Sequence, residues 1–169
     1  MKTSLTTVTL TLATAWLATP VAAQQHTMKS SQGFEQLKAL VGEWTGQAHG
    51  KPVQASYQLV SNGTALLERL SMAGEAEMIT LYTADGDRLA VTHYCSSGNQ
   101  PQMSTEPVTG PKTLFSFSFV RATNLASPTA GHMDHLSVAL KDRDHMSETW
   151  TWRENGNDHS EVFDFTRKG

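Results

Sequence analysis

From Glu43 to the end of the chain, apolar residues recur at every second position, in short runs separated by turn signals. A strand places successive side chains on opposite faces, so this period of two indicates strands with one face in a core. Turn sequences such as Asn62-Gly63 and Asp85-Gly86 interrupt the runs about every 8–12 residues, which is typical of antiparallel sandwiches and barrels. A closed barrel is favoured because closure removes exposed sheet edges, and a two-sheet sandwich is the competing architecture.

The alternation predicts about ten strands and little else. By residue number they cover 42–49, 53–59, 64–72, 77–83, 88–95, 100–106, 114–120, 135–141, 146–153 and a last strand after the turn at 155–158. Ahead of them, a helical spacing of apolar residues predicts one short amphipathic helix over about 33–41, formed by Phe34, Leu37, Leu40 and Val41. The predicted fold class is therefore all-β: a roughly ten-stranded antiparallel barrel with one short N-terminal helix.

The beginning of the chain has the pattern of an export signal. Lys2 supplies a positive charge, residues 5–17 are mostly apolar, and Val21-Ala22-Ala23 forms a small-residue cleavage site. About a dozen apolar residues are too few to cross a bilayer, which takes roughly 20, so we expect no stable membrane insertion after cleavage. We expect a signal peptide over 1–23, a flexible leader over 24–32 and a single barrel domain over 33–169, in a periplasmic or secreted protein.

Charge and cysteine content restrict the possible partners. The formal net charge is −3, which provides no basic surface for nucleic acid, and we expect no nucleic-acid partner. Cys95 is the only cysteine, so the chain can form no intramolecular disulfide. Burial is the default expectation for such a thiol.

Gly42-Glu43-Trp44, where the predicted helix meets the first strand, resembles the Gly-x-Trp signature of the calycin group. That group includes lipocalins, fatty-acid-binding proteins and haem-binding nitrobindins. A longer set of segments resembles a family of secreted bacterial lipocalin-like proteins of unknown function; it comprises residues 62–68, 85–89, 92–95, 98–101 and 131–133. The resemblance implies a calycin-like barrel in which Trp44 plugs one end, and it implies no settled reaction. The haem-binding branch implies a proximal histidine near the C-terminal strand, where His159 is the only candidate.

Polar residues in phase with apolar core positions are the candidates for a site. His93 and Cys95 continue the face of Leu89 and Val91, and Glu148 alternates with neighbouring core residues. A buried carboxylate needs a partner, for which His93 and Arg69 are candidates. The predicted ligand-binding residues are Tyr57, Tyr82, His93, Cys95, Glu148 and Trp150. Their expected partner is a small apolar or amphipathic molecule, with the cofactor unknown; a satisfied buried polar cluster is the alternative.

Two other functions remain open. An enzyme could use His93 and Cys95 in acyl or redox chemistry, although the chain has no Gly-x-Ser-x-Gly elbow and we assign no catalytic residue. Histidine recurs beside methionine at 26–28, 132–135 and 145–146, which suits Cu(I) or another transition metal. This spacing matches no metal-binding motif, so scattered surface histidines are favoured and no metal site is predicted.

Overall fold

The computed structural model describes residues 31–48 and 50–169, in which ten antiparallel strands form a closed barrel. The strands are β1 (Gly42–Ala48), β2 (Lys51–Val60), β3 (Ala65–Met72), β4 (Met78–Asp85), β5 (Arg88–Tyr94), β6 (Gln100–Ser104), β7 (Leu114–Thr123), β8 (His132–Leu140), β9 (His145–Glu154) and β10 (Asn157–Arg167). Each strand pairs with the next along the chain, and β1 pairs with β10 to close the barrel. The predicted fold class is confirmed, and the two-sheet sandwich is excluded.

The helix α1 (Gln32–Leu37) precedes the barrel and is followed by a 3-10 turn over Lys38–Leu40. Ser31 caps it, because its Oγ accepts a hydrogen bond of 3.1 Å from the backbone N–H of Phe34. The predicted helix over 33–41 is too long at its end. The tighter 3-10 turn changes the rotation per residue, so Val41 is exposed instead of joining the apolar face.

The predicted signal peptide over 1–23 and most of the predicted leader lie outside the described residues. Ser31 and Gln32, the last part of that leader as predicted, form the start of α1 and its cap. No helix in the described part of the chain is long and apolar enough to cross a membrane.

Strand β8 begins at His132, three residues before its predicted start at 135. Its register against β9 shifts between Met133 and His135. Burial nevertheless alternates without a break, because His132 and Asp134 are buried in phase with Leu136 while His135 is exposed. Since the first two buried positions hold polar residues, a pattern of apolar residues does not show the start of the strand.

Trp44 joins the barrel to the helical segment. Its side chain is 1% exposed, and its Nε1 donates a 2.8 Å hydrogen bond to the carbonyl oxygen of Leu40. The guanidinium of Arg167 lies 4.1 Å from the indole ring and donates to the carbonyl oxygens of Ala39 and Val41. The two ends of the described chain are thus tied together at this end of the barrel, which α1 covers.

Candidate ligand-binding site

A row of polar side chains crosses the inner wall of the barrel. Tyr57, Glu68, Thr80 and His93 are successive cross-strand partners on β2, β3, β4 and β5. All four are buried, because strand alternation turns them toward the barrel interior along with the apolar core residues. Glu148 and Trp150 on β9 are buried in the same interior.

Glu148 is the centre of a hydrogen-bonded network in this interior. Tyr57 donates to its Oε1 at 2.6 Å, and the indole Nε1 of Trp150 donates to its Oε2 at 3.0 Å. The hydroxyl of Tyr82 lies 3.2 Å from the same Oε1 and 2.9 Å from Oε2 of Glu68. Burial raises the pKa of Glu148, while its hydrogen bonds, that from Tyr57 foremost, act in the opposite direction.

The hydrogen-bond donors around the two carboxyl groups, Glu68 and Glu148, distinguish one from the other. Tyr82 has one hydroxyl proton and lies between two carboxyl groups, so it can donate to only one of them. The contact of the Tyr82 oxygen with the second carboxyl group is a hydrogen bond only if that second group carries a proton of its own. Burial raises the pKa of Glu68 well above its ordinary value, and the negative charge of Glu148 raises it further. Burial thus favours the neutral form of Glu68, whereas the hydrogen bonds that Tyr57 and Trp150 donate to Glu148 favour the ionised form of that residue.

His93 ends the polar row. Its Nδ1 lies 3.0 Å from Oγ1 of Thr80, and its ring lies 4.5 Å from the ring of Trp150. Its Nε2 is buried and has no hydrogen-bond partner among the described residues. Burial lowers the pKa of His93 to about 4, so the imidazole is neutral at pH 7.

A cavity of about 400 Å³ opens beside His93. It lies at the end of the barrel opposite α1, where β3, β5 and β9 end and β4, β8 and β10 begin. Its walls are mostly apolar or aromatic and include Leu70, Met72, Met78, Met133, Trp150, Trp152 and Phe163. Exposed residues at its mouth are Glu75, Ser96 and Ser97. An apolar cavity with a few polar groups is the usual form of a small-molecule site.

The structure divides the predicted ligand-binding residues into two groups. Three line the cavity: His93, Cys95 and Trp150. The other three belong to the buried network that Trp150 joins to the cavity: Tyr57, Tyr82 and Glu148. Whether any of the six binds a ligand stays a prediction.

The predicted partner Arg69 for Glu148 is wrong. Arg69 is exposed, and its Nη1 donates to Glu77 at 2.8 Å. Arg69 was predicted to face inward because it lies an even number of residues from Ala65. The residues of β3 that face inward are instead Leu66, Glu68 and Leu70. His93, the other proposed partner, bonds to Thr80 instead. Glu68 was missed although its alternation with two leucines could have revealed it.

None of the other histidines in the described part of the chain lines the cavity. His159, which the haem-binding resemblance implies as a ligand, is exposed on β10. His145 bonds to Asp142, and His135 lies 2.5 Å from Asp134. Among the described residues, no group of three histidine, cysteine or acidic side chains could hold a metal ion. The predicted pair at 26–28 lies outside those residues.

Cys95 is half-buried beside the cavity. In the described part of the chain, its thiol makes no hydrogen bond to His93 or to any other base. An adjacent base is one of the ways in which a protein activates a thiol for nucleophilic catalysis. The geometry thus places a thiol beside the cavity without that contact.

The buried carboxyl pair predicts a specific dependence of stability on pH. A glutamate whose pKa is higher in the folded chain stabilises the fold fully below its unfolded pKa, near 4.5, and loses that contribution as pH rises. His93, with its pKa lowered to about 4, acts in the opposite direction below about pH 6.5. Above about pH 6.5 the effect of Glu68 is therefore separated from that of His93.

In that range we expect the free energy of unfolding to fall by up to about 1.4 kcal/mol per pH unit. Urea unfolding of the wild type and of Glu68→Gln measures the effect, since the amide cannot titrate. The variant should show a flatter profile. Parallel profiles for the two proteins would contradict the protonation of Glu68 in the fold.

Comparisons with known proteins support the fold. No protein-family model and no curated protein matches the chain. The barrel is similar to a solved structure of a protein of unknown function from the DUF3598 family of Nostoc punctiforme, with 16% identity and a TM-score of 0.54 over 79% of this chain and 49% of that one. This chain thus spans about half the length of that protein.

The barrel is also similar to Rv2717c from M. tuberculosis, with 12% identity and a TM-score of 0.56. That match covers 83% of this chain and all of the other, 100%. At these identities the similarity shows a barrel fold alone. Membership of the calycin or lipocalin group stays a prediction.

Proposed function

We propose that this chain is an exported binding protein that holds a small, mainly apolar molecule in the cavity beside His93. The observation that carries the proposal is the cavity itself: about 400 Å³ with mostly apolar walls and a mouth open at one end of the barrel. Burying apolar ligand surface there provides the driving force for binding.

The other end of the barrel supports a single direction of entry. Trp44 and the buried residues Phe34 and Leu37 of α1 fill that end, so a ligand enters at the mouth near Glu75 and Ser97. The buried network of Glu148 lies next to Trp150 and fixes the orientation of that indole through its Nε1 hydrogen bond. A preformed aromatic wall lowers the ordering cost of binding.

Export is part of the proposal and rests on the sequence. Residues 1–23 have the charge, apolar stretch and small-residue cleavage site of a signal peptide. We expect the mature protein to begin near Gln24 and to lie in the periplasm or the medium. A stable extracytoplasmic barrel with an apolar cavity suits the retention of a poorly soluble molecule.

The binding proposal can be tested with N-phenyl-1-naphthylamine, an uncharged apolar fluorophore, titrated by calorimetry. We expect the wild type to bind it and Met72→Trp to bind it at least about tenfold more weakly, because the added indole fills the cavity. Ser71→Trp, one residue earlier on the exposed face of β3, is the matched control and should bind like the wild type. Absence of binding by the wild type, or equal affinity in the two variants, would refute the proposal.

A further inference from the structure

We propose that the cavity selects an uncharged molecule that carries a hydroxyl group, and that this group hydrogen-bonds to Nε2 of His93. The inference rests on the proposed binding function and specifies its ligand class. It predicts discrimination against carboxylates of the same length, and against the corresponding ammonium ions.

The charges around the cavity oppose an anionic ligand. The acidic residues Glu75 and Glu161 line it. Among the described residues that line this cavity there is no lysine or arginine. Lys51 lines a smaller pocket of about 170 Å³ that shares the two glutamates. A carboxylate placed beside His93 would therefore lose its hydration without gaining a cationic partner.

His93 provides the polar contact that the walls lack. Its Nδ1 is engaged by Thr80, which leaves Nε2 as the unused polar atom of the ring, and this residue is 1% exposed. A buried polar atom without a partner costs free energy that a ligand can recover. Because burial lowers the pKa of His93 to about 4, the ring at pH 7 is neutral and attracts no anion. A hydroxyl group both donates and accepts, so it fits either tautomer of the ring.

A cationic head group fits this contact poorly. An ammonium ion has three donors and no acceptor, and beside His93 it would be taken out of water with one neutral acceptor at most. The carboxylate of Glu148 already accepts from Tyr57 and Trp150, so it is screened from the cavity by its own donors. An ammonium group would therefore remain at the mouth of the cavity. The polar end of such a ligand would then make no contact with His93.

Competition between three ligands of equal chain length tests the inference. We measure displacement of N-phenyl-1-naphthylamine at pH 7 by 1-octanol, octanoate and octylamine. We expect 1-octanol to bind at least about tenfold more tightly than either ion. Octanoate or octylamine binding as tightly as the alcohol would overturn the inference while leaving the binding proposal intact. Failure of the fluorophore to bind at all would instead refute the binding proposal.

The variant His93→Phe tests the hydrogen bond separately, because phenylalanine keeps an aromatic ring against Trp150. We expect the preference for 1-octanol over octanoate to shrink about fivefold, the value of one neutral hydrogen bond. Ser71→Trp should keep the wild-type preference. An unchanged preference in His93→Phe would overturn the role of His93, and if that variant does not fold, the ranking of ligands in the wild type decides.

Discussion

Glu148→Ala is expected to lower the free energy of unfolding by about 4–5 kcal/mol. The substitution removes the acceptor for Tyr57 and Trp150, which donate to its two carboxyl oxygens at 2.6 and 3.0 Å. Both donors are buried, and a buried donor without an acceptor costs about 1–3 kcal/mol. The lost side-chain volume adds a cavity cost. Chemical denaturation at pH 7, monitored by far-ultraviolet circular dichroism, measures the change.

Glu68→Ala is the matched control, since it removes the same side chain from the neighbouring position in the network. Tyr82 contacts Glu68 at 2.9 Å and can donate its proton to Glu148 at 3.2 Å. The hydroxyl of Thr80, which also bonds to Glu68, lies 3.0 Å from Nδ1 of His93. No donor is then left without an acceptor, so we expect Glu68→Ala to be less destabilising than Glu148→Ala by at least about 2 kcal/mol. Equal losses in the two variants would show that the charge and its donors are not centred on Glu148.

Trp44→Ala has the second large expected effect, a loss of about 4 kcal/mol in the free energy of unfolding. The indole is 1% exposed, accepts the guanidinium of Arg167 on its face and bonds to Leu40. Its removal leaves a large void where the helical segment joins the barrel, and small domains have only about 5–15 kcal/mol of stability in total. Urea unfolding of the purified variant measures this loss.

Trp44→Phe separates the packing of this residue from its hydrogen bond. The phenyl ring keeps most of the buried contact with Arg167 but cannot donate to the carbonyl oxygen of Leu40. We expect a loss of about 1–2 kcal/mol. Equal losses for Trp44→Phe and Trp44→Ala would mean that the hydrogen bond, and not the packed indole, holds this end of the barrel.

Most of the barrel could be predicted from the sequence because strand alternation is a local property. Leu136, Val138 and Leu140 alternate on β8, and Phe115 and Phe117 do so on β7, without reference to distant residues. Closure followed from the physical cost of free edges. At the start of β8 the buried positions hold His132 and Asp134, which are polar, so the pattern of apolar residues missed that strand boundary.

The site was harder to predict because it depends on contacts between strands. The prediction took Ala65, at the first position of β3, as facing the core. It therefore wrongly placed Arg69 on the inner face and Glu68 on the outer face. The pairing of Glu68 with Glu148 joins residues far apart in the chain, and no spacing reveals it. The mouth of the cavity likewise depends on a close approach, since a Cβ on Gly131 would lie 2.0 Å from Trp152. No local motif encodes that contact.

The central claim, that an apolar molecule occupies the cavity beside His93, can be tested most directly through Cys95. This cysteine is the only one in the chain, is half-buried and lines the cavity, so alkylation by N-ethylmaleimide reports on occupancy without any substitution. With N-phenyl-1-naphthylamine at about ten times its Kd, the alkylation rate should fall about tenfold, because roughly one site in eleven is then empty. An alkylation rate that stays the same with bound fluorophore would place the ligand elsewhere and contradict the claim.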